Sequence, residues 1–133
     1  MAYSPKHKKI VAVQDTTTWI YDITKEVWKK ACTDEKNHAH DSFSVFDYDS
    51  KNDVFLLLGR TEGGRKGAAS PFVLRAYNIT ENKWKTLTVG GSGLPSSKGK
   101  MGYYDPVFDA FVLYAENKNR VWLYRYGQEE DKK

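Results

Sequence analysis

Three stretches of this chain align with one another without a gap, and that repetition constrains the fold more than any other feature. Residues 3–13 (YSPKHKKIVAV), 48–58 (YDSKNDVFLLL) and 104–114 (YDPVFDAFVLY) each run from an aromatic residue through a polar turn into an apolar strand. A second block occurs twice, as residues 21–29 (YDITKEVWK) and 77–85 (YNITENKWK). The interval from Trp28 to Tyr48 is 20 residues, and so is the interval from Trp84 to Tyr104. Matching intervals between matching blocks mean that one supersecondary unit is used three times.

Each unit predicts a four-stranded antiparallel meander. In the middle unit the strands are predicted at about residues 42–47, 54–59, 72–77 and 83–89, and the second is apolar throughout, as a strand buried on both faces should be. The intervening turns, DSKND and NITEN, hold residues that tolerate tight backbone geometry. One segment conflicts locally: residues 25–32 alone pass for a helix, with Val27/Ala31 and Trp28/Cys32 four apart. Its counterpart continues as Thr86-Leu87-Thr88-Val89, a poor helix former, so both are predicted as strands.

Composition agrees with an all-β domain. Aromatics make up 14% of 133 residues, a length that fits one domain, and ten Gly and four Pro supply turns. The net charge of +4 is scattered rather than grouped, which argues against nucleic acid as a partner. The longest apolar run, residues 54–58, is far too short for a membrane span. Residues 10–13 are too few to form the core of an export signal. One cysteine, Cys32, excludes an intrachain disulfide and reads as a packed small apolar residue.

The blocks YDITKEVW, YNITENKW and YYDPVFDAFVL resemble the kelch or galactose-oxidase-type β-propeller repeat. That repeat carries a Tyr-Asp-Pro-like turn before its second strand and a Tyr-Asp…Trp pair around its third turn. Residues 95–101 (PSSKGKM) look like the proline-and-basic segment that precedes a first strand in the family. The family's Gly-Gly after the second strand is reduced to Gly59-Arg60 and is absent after Val13 and Tyr114. The resemblance implies a partial β-propeller of about three four-stranded antiparallel blades, first and last incomplete, at about 1–33, 42–89 and 99–126. Propellers close with about four to eight blades. The expectation is therefore either the C-terminal part of a longer propeller, needing its remaining blades, or a second copy that completes a ring. Three stacked blades alone would leave apolar flanks that associate.

In a meander the connections alternate ends, which sends the longest ones to a single end of the stack. There the sequence places a candidate ligand face of His38, His40, Arg60, Arg65, Lys66, Lys98 and Lys100. Its longest loop is centred on residues 59–67 (GRTEGGRKG) and is either a binding loop or a solvated insertion; residues 59–70 are predicted to be the most mobile internal segment. It lacks the Gly-Lys-Ser/Thr ending of a phosphate loop. His38-Ala39-His40-Asp41 offers two imidazoles without an identifiable third ligand, so no metal or other cofactor is expected. The copper, Tyr and Cys site of the oxidase branch is not carried by these residues, and no catalytic set is assigned. Asn78-Ile79-Thr80 fits a glycosylation acceptor pattern but aligns with Asp22-Ile23-Thr24 as a turn. Trp19, Tyr21, Trp28, Tyr77, Trp84, Trp122 and Tyr124 are predicted to pack between blades, with Trp28 and Trp84 buried alike.

The functional expectation is a non-catalytic propeller segment that binds protein or carbohydrate. The alternative is part of a propeller enzyme whose active site lies largely in other blades. Compartment stays open: relatives of this type are often exported, and no export signal is legible in these residues.

Overall fold

The computed structural model describes residues 1–37, 44–60, 72–90, 100–115 and 119–127. Among them the secondary structure is entirely β. Eleven strands run as β1 (Ala2–Ser4), β2 (Lys9–Gln14), β3 (Thr17–Asp22), β4 (Val27–Thr33), β5 (Val45–Asp49), β6 (Val54–Arg60), β7 (Phe72–Asn78), β8 (Lys83–Thr86), β9 (Lys100–Asp105), β10 (Ala110–Ala115) and β11 (Arg120–Tyr124). They form three antiparallel meanders: sheet 1 is β1–β4, sheet 2 is β5–β8, and sheet 3 is β9–β11 with β10 in the middle.

The repeat is reproduced in the strand register. Tyr3 pairs with Ile10, Tyr48 with Phe55 and Tyr104 with Phe111, while Tyr21 pairs with Trp28 and Tyr77 with Trp84. Turn chemistry fixes that register. The residue after the repeat Tyr folds its side chain back onto the turn: Asp49 Oδ1 accepts from the Lys51 and Asn52 amides at 3.0 and 2.9 Å. Asp105 Oδ1 accepts from Val107 and Phe108 at 2.8 and 3.0 Å, and Asn78 Oδ1 from Thr80 and Glu81 at 2.9 and 3.0 Å. Asp22 Oδ1 does the same for Thr24 and Lys25. These are Asx turns, which replace the ladder bonds lost where the chain reverses.

Each turn then closes through a residue with positive φ: Lys8 (53°), Glu26 (54°), Asp53 (57°), Asn82 (54°) and Asp109 (50°). Asp and Asn tolerate that left-handed region best, because a short polar side chain bonds locally. Three of the five use the bond. The Tyr48 hydroxyl donates to Asp53 at 2.7 Å, Tyr104 to Asp109 at 2.8 Å and Tyr77 to Asn82 at 2.6 Å. Residues 25–32, which alone pass for a helix, lie in the third turn of sheet 1 and in β4. The Tyr21–Trp28 ring contact, centroids 5.2 Å apart, spans two paired strands.

Alternation along each strand gives every sheet two faces. One carries the repeat aromatics: Tyr48, Phe55, Tyr77 and Trp84 in sheet 2, which pack with Ala2, Val11, Ile20 and Cys32 of sheet 1. The other is aliphatic: Val45, Val54, Leu56, Leu58, Leu74 and Ala76, which pack with Phe111, Leu113 and Tyr124 of sheet 3. The sheets thus stack in chain order, aliphatic face on aromatic face, twice. Their first strands run together, with β5 beside both β1 and β9. Gly102 makes the second approach possible. A Cβ there would lie 2.6 Å from the Val112 carbonyl oxygen and 2.9 Å from Val45 Cγ1, so no larger residue fits without shifting backbone.

Two expectations need correction. In sheet 2 the first strand is β5, which ends later than predicted because Tyr48 and Asp49 are held in the ladder by Phe55 and Val54; residues 42 and 43 lie outside those described. Its fourth strand stops at Thr86, although the Leu87 amide still donates to the Leu74 carbonyl at 2.9 Å. The second correction concerns the tryptophans. Trp84 is half-buried among Phe46, Tyr77 and Arg75 and donates Nε1–H to Thr18 Oγ1 at 2.8 Å. Trp28 keeps the same register but is 50% exposed. Trp84 faces sheet 1, whereas no described residues lie beyond the corresponding face of sheet 1.

Candidate interaction surfaces

Of the residues the sequence singles out as a ligand face, His38, His40, Arg65, Lys66 and Lys98 lie outside the described residues, as does most of the segment predicted to be mobile. Arg60 ends β6 in register with Phe72, and Lys100 opens β9 in register with Ala115. Both positions therefore stand at the same end of the stack as the connections between β4 and β5, β6 and β7, and β8 and β9. Among the described residues no group of three or more His, Cys, Asp or Glu side chains could hold a metal ion.

A network that the sequence did not reveal lies near that end. Arg75, 3% exposed, sits on β7 and reaches across to the segment after β4. Its guanidinium donates to Asn37 Oδ1, to Asp34 Oδ2 at 3.0 Å and to Thr86 Oγ1 at 3.1 Å, and it stacks 5.5 Å from the centre of the Trp84 ring. Burial pushes the Asp34 carboxyl up, but the Arg75 hydrogen bond and the Lys36 amide outweigh it and hold the group below its ordinary value. The repeat offers no warning, since the positions aligned with Arg75 are Trp19 and Trp122.

At the opposite end, Asp53 gathers Lys6 Nζ at 2.5 Å, His7 Nε2 at 2.7 Å and the Tyr48 hydroxyl at 2.7 Å. A carboxylate only accepts, so all three partners donate. Burial opposes its charge, yet these hydrogen bonds keep Asp53 below the usual carboxylate range. With both oxygens occupied it is a clasp between units rather than a base. The clasp repeats at the next junction, where Lys51 donates to Asp109 and Tyr104 donates to the same carboxylate.

The tyrosines of these turns make a measurable prediction. Burial, then the Asp53 carboxylate, pushes Tyr48 up to about 12; burial raises Tyr77; burial and Asp109 raise Tyr104. A phenol whose pKa is higher folded than unfolded stabilises fully below its unfolded value and loses that contribution as pH rises through the folded one. The melting temperature is therefore expected to fall steeply between pH 10 and about 12. A Tyr48→Phe/Tyr104→Phe variant should show a shallower fall by circular dichroism; an equally steep one would refute the coupling.

Two grooves open between the outer strands. One, of about 390 Å³, is lined by Lys9, Ile20, Asp22, Lys25, Val27 and Lys29 with Ile79 and Asn82 across it. The other, about 370 Å³, is lined by Val54, Ala76, Asn78, Glu81, Lys83 and Lys85 with Tyr126 across it. These are the same repeat positions at successive junctions. Both grooves lie away from the first strands, where the sheets meet, and Lys85 spans the second by lying 5.2 Å over the Tyr126 ring.

Among the described residues, exposed apolar side chains lie in the turns, at Ile23, Val107 and Phe108, and on the outward faces of sheets 1 and 3. Sheet 1 turns outward the aromatic face, with Tyr3 at 48% and Trp28 at 50% exposure. Sheet 3 turns outward its aliphatic face, with Met101, Tyr103, Val121 and Leu123 all more than half exposed. At the aligned positions of sheet 2, Tyr48, Leu74 and Ala76 are buried. Compared with models of known protein families and with curated proteins, the sequence finds no match.

Proposed function

We propose that this chain is a segment of a kelch-like β-propeller and acts as a non-catalytic binding scaffold for protein or carbohydrate. The observation that supports the reading is the stacking of three like antiparallel meanders in chain order, first strands together, aliphatic face on aromatic face at both junctions. Such a stack is how blades are arranged around a propeller axis. Its long connections leave from one end, where rigid meanders hold them and where binding residues are commonly placed.

The scaffold reading separates the loops from the fold. The register of β6 and β7 holds up to Arg60 and Phe72, so Asn-Gly in place of residues 61–71 would close a two-residue hairpin. That replacement is expected to leave the melting temperature within a few degrees. Retention on an immobilised sulfated oligosaccharide, used as a probe for the Arg65 and Lys66 charges, should drop about tenfold. Unchanged retention, or loss of the cooperative melt, would count against the loop as the binding element.

A further inference from the structure

The two outward faces of the stack are the two halves of a contact that the chain already makes twice. At both internal junctions an aliphatic face covers a face of repeat aromatics, and at the two ends one of each is left open. Charge at the turns says which unit fits. At the first internal junction Lys6 of one unit meets Asp53 of the next; at the second, Lys51 meets Asp109. In the aligned positions at the open ends stand Val107, which replaces the lysine, and Lys8, which replaces the aspartate. A unit bearing the repeat lysine would bring a second cation to Lys8, whereas the third unit of this chain brings Val107 instead.

We propose that the outward face of sheet 3 docks head to tail on the outward face of sheet 1 in a second copy of this chain, burying Val121 and Leu123 against Tyr3 and Trp28. Two copies joined at both ends close a ring of six sheets. The head-to-tail contact stands on the observed faces; the closure at two copies rests on the propeller reading. The contact is heterologous, so it ends in a ring or runs on as a filament, according to whether its rotation closes.

Sedimentation over a concentration series tests it. The 15.3 kDa chain is expected to run at twice its mass and to grow no further. Leu123→Asp and Trp28→Glu, each checked for an intact cooperative melt, should each weaken association by about tenfold or more. Mixing the two variants should restore a dimer, because each supplies the face the other lacks. Val107→Lys should weaken association roughly threefold, and Lys8→Asp added to it should reverse the loss in a salt-sensitive way, because the internal clasp is then rebuilt. A monomer at every concentration overturns the proposal. A dimer that Trp28→Glu leaves intact overturns it as well. Association that continues past two copies upholds the contact but overturns closure into a ring of six sheets.

Discussion

Phe55→Ala is expected to cost about 3–5 kcal/mol of folding stability, the range for deleting a buried aromatic ring and leaving its cavity. Phe55 is fully buried on β6, between Tyr48 and Tyr77 in its own sheet and against sheet 1 across the junction. The informative control is Ile10→Ala at the aligned position of sheet 1. Ile10 has the same register partner type, Tyr3, but faces outward and is only partly covered. In a dilute monomer its truncation should cost under about 1.5 kcal/mol, the lower part of the range for a side chain with an exposed face. Urea unfolding of both variants checks the pair. Equal costs would mean that the outward face of sheet 1 is covered, and the assignment of open and closed faces would fail.

Asp34→Ala is expected to cost about 3 kcal/mol, because it removes the one carboxylate that faces the buried Arg75 guanidinium among the described residues. Asn37 and Thr86 still accept from the guanidinium, which keeps the loss at the lower end for a broken buried pair. In an Arg75→Leu background the same Asp34→Ala change should cost less than about 1 kcal/mol, since no buried charge is then stranded. The double-mutant cycle measures the coupling. The acid dependence follows the same pair. Asp34 is held below its ordinary value, so its contribution is complete above pH 3.8 and is lost as pH falls beneath it. An Arg75→Leu protein should lack that part of the acid transition. A cycle with no coupling would leave the network as a packing feature only.

Much of the β architecture is legible in the chain because it is written locally. A repeat Tyr, an Asx residue beside it and an Asp or Asn five residues on specify one turn, and the turn fixes the register of the strands it joins. Even the helix-like spacing of residues 25–32 yields to a strand, as the aligned sequence after Trp84 indicated. The candidate ligand face was legible only as topology. Sequence shows which end Arg60 and Lys100 occupy, but not what their side chains meet.

What the sequence could not assign was which copy of a repeated residue is buried. Trp28 and Trp84 are alike in neighbours, register and ring partner, and differ only in whether another sheet lies across from them. Local pattern decides which face of a strand a side chain occupies. Burial is decided by what stacks on that face, a contact between residues far apart in the chain, such as Trp84 with Thr18 or Arg75 with Asp34. The repeat therefore determined the meanders, their turns and their registers. Only the tertiary stacking settled which faces are closed and which end the chain open.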